Sequence, residues 1–263
     1  MKQRSLPTRI IRKYVAFLHK TGPSSPTAVI EPYELPESYA QAVSESGYSD
    51  HSIQQIADHI GYYLGIPRGI KIRIIELDPA KHAWATNESG QAIRSDEESS
   101  VEYSGLYQVM GRDHSEIRLV KRHRYELSNI MAILCHEYAH HYLHVHRVSL
   151  NHEMRDEYLA DIATAYLGLG FYVLQGYTPI TWTSDQWYGL TSEGYTEHSI
   201  SIGYLTPAVI RTAILLSAPL RKWDPSIVVR SFPDWPSRVG AYFRLRPYRK
   251  EYELQKIETE KKS

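Results

Sequence analysis

The chain predicts a mixed α+β fold. A small, mostly antiparallel sheet packs on a helix that begins near Leu127, a second helix follows, and the C-terminal part is helical. Three observations point there. Short runs of alternating apolar residues precede residue 127, the segment Leu127 to Leu143 is apolar at helical spacing, and another apolar helical pattern runs from Glu157 to Leu167.

Taken in order, residues 6 to 19 have an amphipathic helical pattern, and Thr21-Gly-Pro-Ser-Ser-Pro26 with Pro32 and Pro36 predicts an extended connector. A helix from about Ser52 to Leu64 leads into a strand, Ile70-Lys-Ile-Arg-Ile-Ile-Glu-Leu77. The polar stretch from Asn87 to Ser104 reads as a loop beside the sheet, and its acidic run Ser95-Asp-Glu-Glu-Ser-Ser100 as solvated surface. Gly105 to Met110 and Ser115 to Val120 are two strands joined by the turn Gly111-Arg-Asp-His114.

The next helix is apolar at Leu127, Ile130, Met131, Ile133 and Leu134, with Ser128 or Asn129 as its cap. The second helix ends near Gly168 and Gly170. Phe171, Tyr172, Tyr177, Trp182, Trp187, Tyr188 and Tyr195 then form an aromatic stretch without strong periodicity, which reads equally as the wall of a cleft or as a packed loop. Thr206 caps a helix to Ser217 with Pro207 at its first position. Beyond Lys222 come short segments, a basic run Arg244-Leu-Arg-Pro-Tyr-Arg-Lys250 and a charged end from Glu251 that reads as a frayed helix or a tail. The expected organisation is an N-terminal helix and connector over residues 1–49, a central domain over 50–222 and a C-terminal extension over 223–263.

Composition narrows the class of protein. Of 263 residues, 42% are hydrophobic, enough for a real core. Lysine plus arginine equals aspartate plus glutamate at 30 each, so no global field draws the chain to nucleic acid or to a membrane surface. One cysteine excludes an internal disulfide framework. Arg12 and Lys13 interrupt the apolar run from Ile10 to Leu18, which makes it a poor signal-peptide core, and no run approaches the roughly 18 to 20 apolar residues that span a bilayer. The expectation is a cytoplasmic protein.

The chemistry concentrates in His136-Glu137-Tyr138-Ala139-His140. At about 3.6 residues per turn, positions four apart share a helix face, so both imidazoles can point at one ion while Glu137 projects toward a water on it. Catalytic zinc keeps three protein ligands and an open position, and lowers the pKa of its water toward about 7. A carboxylate placed as Glu137 is can take that proton and pass it to a leaving amine. The third ligand has two rivals. His146 lies six residues after His140, but Leu143 continues the helix and turns His146 roughly 600° from His140, away from the ion. Glu157 opens the second helical pattern, with Asp161 four residues on and on the same face, where it can accept from the free ring nitrogen of a histidine ligand. The helix constraints favour Glu157.

His136-Glu137-x-x-His140 followed by a helix with Glu157-x-x-x-Asp161 resembles the gluzincins, zinc peptidases related in their core to thermolysin, and among them the bacterial ImmA/IrrE-type metallopeptidases. The likeness covers about residues 50 to 215 and includes Tyr166-Leu-Gly-Leu-Gly-Phe171 and Gly203-Tyr-Leu-Thr-Pro207. It implies a zincin-like fold, a Zn2+ ion on His136, His140 and Glu157, Glu137 as the catalytic carboxylate, and Asp161 orienting a ligand. It also implies a protein or peptide substrate. Thermolysin-like enzymes carry a further downstream histidine that steadies the tetrahedral intermediate; no residue here aligns with it, and His198, Tyr195 and Tyr204 are candidates for that task.

Blander roles stand beside these. Cys135 suits core packing, and His141, His144 and His146 suit a solvated helix end. The alternative from another class is a regulatory or partner-binding protein on a peptidase scaffold, with a structural or idle metal. An intact Glu137 argues against it, because a closed structural site has no use for a general base.

Overall fold

The computed structural model describes residues 3–22, 31–46, 48–66, 70–76, 83–86, 92–95, 105–110, 115–121, 125–176, 180–188, 192–200 and 203–260. For residues 75–76, 83–86, 92–95, 120–121, 180–188, 192–200 and 254–260 it describes the backbone alone.

Three helices open the chain: α1 (Thr8–Thr21), α2 (Glu37–Ser46) and α3 (Asp50–Tyr63). Ser49 caps α3 by accepting from the Ser52 N–H. Strand β1 (Ile70–Glu76) follows, then a hairpin of β2 (Ala83–Thr86) and β3 (Ala92–Ser95), then β4 (Gly105–Val109) and β5 (Ser115–Lys121). The strand order β1-β5-β4 makes one three-stranded sheet, with β4 antiparallel to β5 and β1 parallel to it. This sheet is therefore mixed, where the sequence led to a mostly antiparallel one. A parallel pair needs a long connection between its strands, and residues 77–114 supply it with a strand hairpin inside. Within the stretch read as an acidic loop, Ala92–Ser95 is strand; residues 87–91 and 96–104 lie outside the described residues.

The central helix α4 (Leu127–Val145) lies against β4 and β5 and is buried almost all round, with Ile130, Met131, Ile133, Leu134, Tyr138 and Leu143 in the core. A helix apolar on every face belongs inside a domain. Its cap is Glu126, just outside the expected Ser128 or Asn129, and the Asn129 side chain accepts from the Glu126 N–H at 3.0 Å. Next come α5 (Glu153–Tyr166) and α6 (Gly170–Gln175), both packed on α4. Of the aromatic stretch, Phe171 and Tyr172 belong to α6, Tyr177 lies outside the described residues, and Trp182, Trp187, Tyr188 and Tyr195 fall in an antiparallel pair of β6 (Ile180–Tyr188) and β7 (Ser192–Ile200), neither an irregular loop nor part of the main sheet.

Helix α7 (Pro207–Arg221) starts as its Thr206-Pro207 signal requires, and packs on α5 and α1. Two more helices follow, α8 (Pro225–Ser231) and the long α9 (Trp235–Glu260), in keeping with a helical C-terminal part; the charged end, read as a frayed helix or tail, continues α9 to Glu260. Each begins with an aspartate that accepts from a backbone N–H of its first turn, Asp224 from Ser226 at 2.7 Å and Asp234 from Ser237 at 2.8 Å. Pro225 and Pro236 sit in those first turns, where a missing N–H costs nothing.

The core is continuous. Ile11, Val15 and Leu18 of α1, Ile53, Ile56 and Ile60 of α3, the α4 residues and Ile210 and Ile214 of α7 belong to a single buried cluster. Fully burying such side chains is worth about 1.5–3 kcal/mol each, so α4 and α5 are held rigidly against each other. Among the described residues, no helix is long and apolar enough to cross a membrane.

Candidate metal centre

Helices α4 and α5 face each other across the site, α4 presenting His136, Glu137 and His140, and α5 presenting Glu157 and Asp161. His140 Nε2 lies 3.2 Å from His136 Nε2 and 3.2 Å from Glu157 Oε2, while His136 Nε2 and Glu157 Oε2 are 3.6 Å apart. Zinc with nitrogen and oxygen ligands at about 2.0–2.1 Å in tetrahedral geometry spaces those donors about 3.3 Å from one another. The observed triangle has that size. These three residues form the one group of histidine, cysteine or acidic side chains among the described residues that can hold a metal ion.

His146 takes no part. It ends α4 as its cap residue, and its ring packs edge-on against Tyr142 with centroids 4.3 Å apart. His141, expected at a solvated helix end, is instead buried, with Nδ1 3.0 Å from the Tyr107 hydroxyl. The reason is that α4 runs past His140 with β4 against it, so that face is covered rather than open. His144 is exposed, and Cys135 is fully buried, its thiol pushed up by burial.

Asp161 is buried completely, and what it holds explains why. Its Oδ1 lies 2.9 Å from His136 Nδ1 in a close but bent contact, and its Oδ2 accepts from the Tyr204 N–H at 2.7 Å and the Leu205 N–H at 2.8 Å. Burial of a carboxylate is costly unless hydrogen bonds replace its water; here two backbone amides do so, with the His136 imidazole in close contact beside them. Gly203 makes the approach possible. Its φ of 78° lies in the left-handed region, and a Cβ there would stand 2.8 Å from Asp161 Oδ1. The motif Gly203-Tyr-Leu-Thr-Pro207 is thus the loop that grips Asp161, a role the sequence reading did not assign. With Nδ1 turned to Asp161, His136 aims Nε2 at the other donors.

Glu137 is only 6% exposed, and burial pushes its carboxyl pKa up, against the opposing pull of His136 and His140. Strand β4 comes directly against it. A Cβ on Gly105 would stand 2.6 Å from Glu137 Oε1 and would also collide with Ile133, so only glycine lets the strand backbone lie this close. Nothing in the composition of β4 marks this contact, though a glycine opening a strand is a signal of close approach.

Of the oxyanion candidates, Tyr204 stands beside the cluster, its ring centroid 6.2 Å from that of His136. Burial and the negative charges of Glu157, Glu137 and Asp161 push its phenol up to about 12, so it stays a hydrogen-bond donor at neutral pH. His198 lies in β7 opposite Trp182, and Tyr195 opposite Asp185; the side chains of both fall outside the described residues, as do those of Trp182, Trp187 and Tyr188.

The charges follow from the packing. Burial works to raise the Glu157 pKa, but hydrogen bonds and charge from His136 and His140 outweigh it and hold the carboxyl at about 2. Burial likewise opposes a charge on His136, yet Asp161 and Glu157 prevail and raise its pKa well above the usual histidine value. In the metal-free chain the charged His136 stabilises the fold below about pH 6.5, and that contribution fades as pH rises through the raised value. A metal ion must displace this proton. Uptake of zinc near neutral pH is therefore expected to release about one proton, with affinity climbing as pH rises toward the raised His136 value. Titration calorimetry in two buffers of different ionisation heat measures it, and identical observed heats in the two buffers would contradict it.

Replacing Asp161 by alanine strands two backbone N–H groups, at about 1–3 kcal/mol each, and frees the His136 ring. Zinc affinity is expected to fall roughly 10- to 100-fold, read by competition with a chromophoric chelator.

Comparison with protein-family models, curated proteins and solved structures gives no match to this chain. The functional reading therefore rests on the sequence motif and the geometry of the site.

Proposed function

We propose that the chain is a zinc-dependent metallopeptidase of the gluzincin type with a zincin-like core, working as an endopeptidase on a protein or peptide substrate. The observation that carries this reading is the convergence of His136, His140 and Glu157 from two helices, with the buried Glu137 carboxylate beside them under an edge strand. Two imidazoles and a carboxylate suit zinc, and three protein donors leave a tetrahedral ion one position for water or substrate.

Bound zinc would supply Lewis acidity, polarising the scissile carbonyl and easing removal of a proton from the attacking water. Glu137 is the base for that proton and returns it to the departing amine; a carboxylate raised by burial toward the working pH does this better than an ordinary one. The Tyr204 phenol donates to the oxygen that becomes negative as water adds to the carbonyl. Asp161 keeps His136 in one tautomer. Strand β4 pairs with β5 on one side only among the described residues, so its other edge offers main-chain donors and acceptors to an extended peptide running past Glu137. Val109 and the following Met110 are exposed there and favour apolar substrate side chains. The single, buried Cys135 and the lack of a membrane-crossing helix among the described residues are compatible with a cytoplasmic enzyme.

The test is cleavage of a mixed peptide library by zinc-loaded protein, with new termini read by mass spectrometry. The expected result is a defined set of cuts that a chelator abolishes and zinc restores. Unchanged melting on zinc removal together with no cuts would retire the enzymatic reading, and a collapse of the fold on removal would favour a structural ion.

A further inference from the structure

Arg4 and Leu205 form an isolated parallel bridge, far apart in sequence. The Arg4 N–H donates to the Tyr204 carbonyl at 2.8 Å, and the Thr206 N–H donates to the Arg4 carbonyl at 3.0 Å. On its other side the same short segment gives its Tyr204 and Leu205 amides to Asp161. Residues 204–206 are therefore clamped between the N-terminal segment at Arg4 and the carboxylate that orients His136. The far end of the clamp is firm, because Leu6 packs on the core and α1 buries Ile11, Val15 and Leu18 against α5 and α7. The Arg4 side chain is exposed, so the contact is made by its main chain.

We propose that the N-terminal segment Gln3–Leu6 is a positioning strap for the metal centre, setting zinc affinity through the backbone of residues 204–206 and Asp161. The inference rests on the metal-centre reading above. With the strap in place, the two amides stay aimed at Asp161 Oδ2, which leaves Oδ1 for His136. Without it, the segment has lost its outer partner, Asp161 is gripped less firmly, and His136 meets the ion from a broader range of orientations. Partners that orient a metal-bound histidine govern affinity by about 10- to 100-fold. A group one hydrogen bond further out should act more weakly, by about 3- to 10-fold.

Arg4→Pro in the full chain removes the donor to Tyr204, and Arg4→Ala keeps it. Zinc dissociation constants from chelator competition, with the cobalt(II) absorption spectrum as a readout of ligand geometry, are expected to show weakening and a shifted band for Arg4→Pro and wild-type values for Arg4→Ala. Equal affinities and spectra in both variants would overturn the strap while leaving the metal centre intact; failure of the wild-type chain to bind zinc would overturn both. Amide hydrogen exchange on the wild-type chain tests the same coupling without any variant. Zinc should slow exchange at Arg4, Tyr204, Leu205 and Thr206 together. Protection confined to Tyr204 and Leu205 would contradict the strap.

Discussion

Glu137→Gln is expected to keep its zinc and lose turnover by roughly 10²- to 10⁴-fold, the range over which a positioned general base acts. Glutamine fills the same volume under Gly105 and Ile133, so the packing of β4 on α4 survives the change. What disappears is the ability to take a proton. Because burial and the neighbouring histidines pull the Glu137 carboxyl in opposite directions, the neutral amide should also be tolerated by the fold, and the melting temperature should not fall. The measurement is kcat on the best library peptide with zinc content determined on the same sample. Wild-type turnover in a zinc-replete variant would remove Glu137 from the chemistry. Lost zinc would show instead that the glutamate serves the ion.

Glu157→Ala carries the other large effect. It takes away a direct donor and leaves His136 and His140 facing each other at 3.2 Å without the carboxylate that balances them. Zinc affinity should drop by at least about 100-fold, beyond what is lost when an outer partner of a ligand is removed. His146→Ala should leave affinity unchanged, since its ring is committed to Tyr142 at the end of α4. A larger loss from His146→Ala than from Glu157→Ala would assign the third donor the other way.

The parts of the site that follow helix periodicity were legible in the sequence. His136 and His140 fall on one face of α4, and Glu157 and Asp161 on one face of α5, because spacings of four repeat almost once per turn. The failure of His146 to join them was visible in the same arithmetic, with Leu143 continuing the helix. Backbone contributions were not legible. Neither the two amides of Tyr204 and Leu205 on Asp161 nor the approach of β4 to Glu137 depends on side-chain identity, apart from the glycines that make room.

Pro36 reads in the sequence as part of an extended connector, yet it stands immediately before α2, where its fixed φ helps and its missing N–H has no partner to lose; Pro225 and Pro236 occupy the first turns of α8 and α9 for the same reason. The parallel pairing of β1 with β5 also escaped, because alternation along a strand identifies its faces but not its neighbour's direction. The hairpin of β6 and β7 was hidden for a related reason: an aromatic run such as Ile180-Thr-Trp-Thr suits a pleated strand as well as a covering loop.

The central claim is that two imidazoles and one carboxylate from α4 and α5 share a single ion and leave it an open position. Anomalous diffraction at the zinc edge from crystals of the zinc-loaded chain tests it most directly. The account predicts one peak among His136 Nε2, His140 Nε2 and Glu157 Oε2, about 2.0–2.2 Å from each, with water in the remaining place. A peak elsewhere, or a fourth protein atom closing the coordination sphere, would contradict it.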